Sequence, residues 1–82
     1  MKIQAALTKE QGVTFAVVVV KQHALNDGAR AAFQPAFPGV PIVLMSQDSR
    51  GVPTYLGRPD IVRFLTNVPF QALPWREWSV AA

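Results

Sequence analysis

Apolar and polar positions alternate from Lys2 to Thr8. Ile3, Ala5 and Leu7 take one side, with Lys2, Gln4 and Thr8 largely on the other. That is the period of a half-buried β-strand. Lys9-Glu10-Gln11-Gly12 then supplies a polar turn whose glycine accepts positive φ. Val13 to Lys21, VTFAVVVVK, is β-branched and apolar on both sides, the mark of a central strand covered on two faces. The two runs together predict a β-hairpin with a four- or five-residue loop.

Asn26-Asp27 suits a helix N-terminus, where a short side-chain oxygen accepts from free backbone amides. After it, Ala29, Ala32, Phe33, Ala36 and Phe37 fall on one helical face. Pro35 would clash with the carbonyl four residues back, so the helix should end or kink near Gln34, with Phe33 and Phe37 on the sheet. Pro38-Gly39 breaks the chain. Ile42 to Ser46 reads as a third strand, Gln47 to Gly51 as a turn built on Asp48 and Ser49, and Val52 to Leu56 as a fourth strand. Pro53 has no ladder donor, which predicts an edge there. Pro59 fits a first helical position, Asp60 faces the positive end of the helix dipole, and Ile61, Phe64, Leu65 and Val68 form the buried stripe.

The tail LPWREWSV has two readings. Extended, it places Leu73 and Trp75 on one face; started by Pro74 as a helical turn, it places Trp75 and Trp78 at i and i+3. The element order is ββαββα plus this Trp-containing tail. It predicts a single α+β domain over residues 1–82, with a four-stranded, mostly antiparallel sheet and two helices mainly on one face. Two short helices on one side would leave the other side of Val13 to Val20 bare, so a second copy of the chain is expected to cover it. ALTKEQGVTF and LMSQDSRGVPTY share an apolar–polar–Gly-Val order, which any two strand–turn–strand units share by necessity.

Composition sharpens this picture. Half of the 82 residues are apolar and only 16% are charged, so the surface is short of solubilising groups. A chain of this size buries only about 60–65% of its unfolded surface, and association is a common remedy. There are no cysteines, which excludes disulfides, thiolate catalysis, iron–sulfur clusters and cysteine zinc sites. The lack of staples and of a leader pattern predicts a cytoplasmic protein. The longest apolar run, Val13 to Val20 with Thr14 inside it, is far short of the roughly 20 residues that span a bilayer, so no membrane partner is expected. Net charge is +3, and the eight basic residues are scattered singly. Nucleic-acid binders usually cluster theirs.

Few residues suggest chemistry. His23 is the sole histidine, with Asp27 four positions on; a base–orienter pair needs both, yet no nucleophile motif accompanies them. With five separated carboxylates, no metal site and no cofactor is implied. Asp48, Arg50, Arg58 and Asp60 flank the second hairpin. They read either as ion pairs or as an anion site near the second helix, which Pro59 deprives of one amide. Tyr55, Phe70, Trp75 and Trp78 form a C-terminal aromatic set, which serves as core, as a homo-oligomer interface, or as a stacking surface. For a nucleic-acid role the contacts would be Arg50, Arg58, Arg63 and Arg76 with these aromatics.

From Phe15 to Leu65 the order of parts resembles the C-terminal half of a thioredoxin-like fold. VVVVK is similar to that family's apolar central strand and NDGARAAFQPAF to its middle helix. Gly39-Val40-Pro41 stands where the family has a cis proline before a strand, and the hairpin and PDIVRFL complete the match. The resemblance implies a raised chance that the Val40–Pro41 bond is cis. The family's Cys-x-x-Cys motif is absent, which removes redox function and leaves a redox-inactive thioredoxin-like domain as one reading. The leading expectation is a small, non-catalytic, homodimeric interaction or accessory protein; a nucleic-acid-associated protein is the alternative, and an enzyme comes third.

Overall fold

The computed structural model describes residues 2–10 and 12–79. Its strands are β1 (Lys2–Glu10), β2 (Val13–Val19), β3 (Ile42–Gln47), β4 (Pro53–Leu56) and β5 (Trp75–Ser79). Helix α1 (Asp27–Ala32) joins β2 to β3, and α2 (Pro59–Leu65) follows β4. Single 3₁₀ turns at Gln22–Ala24, Gln34–Ala36 and Phe70–Ala72 fill the connections.

The strands form one mixed sheet in the order β4-β3-β2-β1-β5. β2 and β3 pair in parallel, and the other three ladders are antiparallel. The α+β class and the mostly antiparallel sheet are as expected. The strand count is not: the tail supplies a fifth strand, on the far side of β1, with Ile3 opposite Trp78 and Ala6 opposite Trp75. Because β1 is antiparallel to both β2 and β5, strands β2, β3 and β5 all run the same way.

The N-terminal hairpin is tighter than its polar residues suggest. β1 and β2 pair as far as Glu10 opposite Val13, with Gly12 between them at φ +79°. Lys9 and Glu10 remain in the strand because polar side chains are tolerated where a ladder end faces water. In the second hairpin Asp48 organises the turn as expected. Its Oδ1 accepts from the backbone N–H of Arg50 at 2.8 Å and of Val52 at 2.9 Å.

The two helices lie on opposite faces of the sheet, not mainly on one. On the first face Ile61 and Leu65 of α2, with Leu73, pack against Ala6, Phe15, Val17, Val43 and Met45. On the second face Phe37, supported by Ala29, Phe33 and Ala36, packs against Ile3, Ala5, Ala16, Val18, Ile42 and Leu44. The topology explains the difference. The β2-to-β3 crossover occupies one face, so the chain returning from edge strand β4 to the opposite edge at β5 has the other face to cross. β2 is thereby covered on both sides by its own chain, which removes the uncovered face as a reason to expect a second copy.

Local sequence fixes the crossover segment. Asn26 Oδ1 accepts from Ala29 N–H at 2.8 Å, a capping bond of the expected kind. Helix α1 ends at Ala32 and Pro35 sits in the 3₁₀ turn that follows. Gln34 Nε2 then donates to the carbonyls of Phe37 and Val40 at 2.8 and 2.9 Å, folding the segment back toward β3. The described peptide bonds are all trans, Val40–Pro41 included. None of the described helices is long and apolar enough to cross a membrane.

Gly57, just after β4, packs tightly against β3. A Cβ there would stand 2.8 Å from Val43 Cγ2 and 3.1 Å from the Ile42 carbonyl oxygen. Gly57→Ala should destabilise the protein by about 1–3 kcal/mol through overpacking against β3. Gly12→Ala, whose Cβ meets nothing within 4 Å, should cost about 1 kcal/mol from backbone conformation alone. Urea denaturation of the two variants checks the order; Gly12→Ala as the more damaging change would refute it.

Candidate functional site

Trp75 and Trp78 are three residues apart on a strand, so their rings fall on opposite faces of the sheet. Trp75 lies on the first face with Phe70, and its Nε1–H donates to the Phe70 carbonyl at 2.6 Å. Trp78 lies on the second face, edge-on to Phe37 at 5.1 Å between ring centroids. Its Nε1–H donates to the Ala5 carbonyl at 3.1 Å. Both indoles therefore pin β5 to the rest of the fold. Of the four aromatics singled out in the sequence, Tyr55, Phe70 and Trp75 share the first face and Trp78 does not join them.

A depression of about 250 Å³ opens on that first face, lined by Gln4, Val19, Met45, Gln47, Phe70 and Trp75. Val19 and Gln47 end strands β2 and β3, so the depression lies at the carboxyl ends of the parallel pair. Among the described residues no charged side chain lines it. Gln47 Nε2 donates to the Gly51 carbonyl at 3.1 Å, which leaves its Oε1 as an acceptor. Trp75 has spent its indole donor on Phe70, so its ring offers only apolar surface. Two other depressions flank α2. One of about 70 Å³ lies among Glu10, Val13, Phe15, Asp60, Ile61 and Phe64, and a wider, open one lies along Asp60, Arg63, Phe64, Asn67 and Val68.

The sequence pointed to Phe70 and Trp75 but not to Gln4 and Gln47. Their signal is the strand period: Gln4 is in phase with Ala6, and Gln47 with Met45 and Val43, so each amide continues a core-facing row at its polar end. Nothing local shows that the two rows meet across the sheet.

The arginines are not brought together. Arg50 sits in the β3–β4 turn and Arg58 beyond the other end of β4, with Arg63 on α2 and Arg76 on β5. The four residues of β4 alone span roughly 13 Å at ~3.3 Å each, so Arg50 and Arg58 stand at opposite ends of the hairpin and form no joint anion site. Arg58 instead pairs with Asp60, its Nε 3.0 Å from Oδ1. That hydrogen bond holds the Asp60 carboxyl below its usual pKa and raises the Arg58 guanidinium. Asp27 pairs with Arg30 at 3.1 Å rather than with His23, which is exposed in the first 3₁₀ turn. Among the described residues no three His, Asp or Glu side chains converge on a point where a metal would sit.

Among the described residues the buried side-chain polar atom left without a partner is on Tyr55. Its hydroxyl is buried and meets no hydrogen-bond partner among the described residues, and desolvation pushes its pKa up. Comparison with protein-family models, with curated proteins and with solved structures finds no match to this chain.

Trp75→Phe should cost roughly 1–2 kcal/mol, because it strands the Phe70 carbonyl. Hydrogen exchange should speed up in β5 before β3. Tyr55→Phe should instead be neutral or stabilising, since it deletes an unpaired donor; a loss as large as that of Trp75→Phe would show the hydroxyl to be partnered. The Asp60 pKa is depressed on folding. Its contribution is therefore complete above the unfolded value, about 3.9, and disappears as pH falls through the folded value. Wild type and Asp60→Asn should differ by a constant small amount at neutral pH and converge in acid. A gap that widens below about pH 4 would contradict this sign.

Proposed function

We propose that the chain is a non-catalytic interaction module that works as a homodimer joined along β5. The observation that carries this reading is the edge itself. Among the described strands β4 and β5 are the sheet edges, so their outer sides carry the unpaired ladder groups. An unpaired edge is a template for another strand. β4 is short and begins with Pro53, which lacks a donor; β5 has five residues and no proline.

Self-pairing of β5 also has a fitting register. Two antiparallel copies about a two-fold axis normal to the sheet match residues of equal parity, so that each face continues across the junction. Centring on Glu77 pairs all five residues: Trp75 with Ser79, Arg76 with Trp78, and Glu77 with its own copy. Arg76 then lies beside the partner's indole on the second face, a cation–π arrangement. The two Glu77 carboxylates are each moderated by Lys2, whose Nζ is 3.4 Å from Glu77 Oε1. Centring on Arg76 would set two guanidinium groups against each other with no such partner.

Light scattering across micromolar concentrations should give a dimer mass, and a monomer throughout would overturn the proposal. Because the chain has no cysteine, Glu77→Cys provides a background-free contact probe, and a short bifunctional thiol reagent should link it as a dimer. Arg76→Ala should weaken association by about 1 kcal/mol, roughly fivefold. A dimer that neither substitution reports would lie elsewhere on the surface.

A further inference from the structure

We infer that the depression at the carboxyl ends of β2 and β3 is a binding site for an uncharged, planar nitrogen heterocycle carrying both N–H donors and carbonyl or ring-nitrogen acceptors, the chemistry of a nucleobase. Position is the first support. In open, mostly parallel α/β sheets ligands bind outside the carboxyl ends of the strands, and here Val19 and Gln47, the last residues of the one parallel pair, form part of the wall. Helix α2 closes the first face around Phe15, Val17 and Val43 but does not line this end.

The lining chemistry narrows the ligand. Val19, Met45, Phe70 and Trp75 give an apolar, polarisable wall, and base–aromatic contact is worth about 1–3 kcal/mol per base. Trp75 is held by its bond to the Phe70 carbonyl, so its ring is fixed before a ligand arrives. The polar groups are two carboxamides. Gln47 keeps an acceptor oxygen after its N–H is taken by the Gly51 carbonyl. Gln4 is exposed and contributes both a donor and an acceptor. A carboxamide pairs with the edge of a heterocycle that presents a neighbouring donor and acceptor, as Asn and Gln do with adenine.

Charge and size exclude the larger relatives of such a ring. About 250 Å³ accommodates a single ring system but falls below the usual range for drug-sized ligands. Among the described residues no cation lines the depression to meet a phosphate, and Lys2, in phase with Gln4 on β1, is already paired with Glu77, which stands directly across the ladder from Gln4. The free base or its nucleoside should therefore bind in preference to a nucleotide. A ligand of this size holds with a dissociation constant near the millimolar range.

The test is a titration of the intact protein with adenine, uracil, adenosine and adenosine monophosphate, followed by ¹H–¹⁵N correlation spectra, with benzoate as the control ring. The indole N–H of Trp75 and the side-chain amides of Gln4 and Gln47 should shift with at least one base, while the Trp78 indole, on the opposite face, stays still. Gln47→Leu and Gln4→Leu should each weaken that binding by about fivefold to tenfold without unfolding the sheet. Equal shifts with benzoate, shifts of both indoles, or no shift with any base would overturn the assignment. Tighter binding of the monophosphate than of adenosine would overturn its uncharged character. The outcome is separable from dimerisation, because the same titration on Arg76→Ala should give the same shifts.

Discussion

The fold depends on one strand that cannot face water on either side. Phe15, Ala16, Val17 and Val18 of β2 are all buried, and side chains on both faces of a sheet are satisfied only by cover on both faces. Each large side chain among them contributes about 1.5–3 kcal/mol when fully buried. This requirement places β2 third among the five strands, with β1 on one side and β3 on the other. It also dictates that the chain pass once over each face. The first pass is the crossover through α1 and the Gln34–Ala36 turn, and the second is α2 with Leu73. Once both passes are made, the last segment is left at the far edge beside β1.

That last segment is short and lies at the sheet edge, so among the described strands β1 is the one it pairs with. The two tryptophans add to it from opposite faces. Trp75 fastens β5 to the turn that precedes it, and Trp78 reaches a carbonyl 73 positions away in sequence. The Trp78 ring also closes over Phe37. The first and last strands of the protein thus stabilise each other through contacts that no local stretch of chain contains.

The difference between local and distant constraints decides what could be read from the sequence. Pro59 at a helix start, Asn26 as a cap, Asp48 in a turn and Pro53 on an edge each act within a few residues, and each was legible. VTFAVVVVK announced a strand covered twice, but its residues do not say what covers it. The expectation of helices on one face came from that gap, and a second copy was invoked for a face that α2 and Leu73 fill. WREWS was ambiguous for a physical reason: its tryptophans suit either a helical turn at i and i+3 or a strand pinned from both faces, and only the pairing with β1 selects the strand. The aromatic part of the candidate site was visible as composition. Gln4 and Gln47 were not, because ordinary polar residues at strand ends become a pair only through sheet order.

With most of both faces packed by the chain's own elements, open surface remains at the edges and over the part of the first face that α2 does not line. β5 belongs to both regions, yet it serves them with different atoms. Its outer backbone groups and the side chains of Arg76 and Glu77 form the edge, while the ring of Trp75 points into the first face beside Phe70. Pinning the Trp75 indole to the Phe70 carbonyl holds both the strand and the ring. If β5 pairs and the depression binds as proposed, that single hydrogen bond pre-orders both surfaces, and neither has to reorganise for the other to be used.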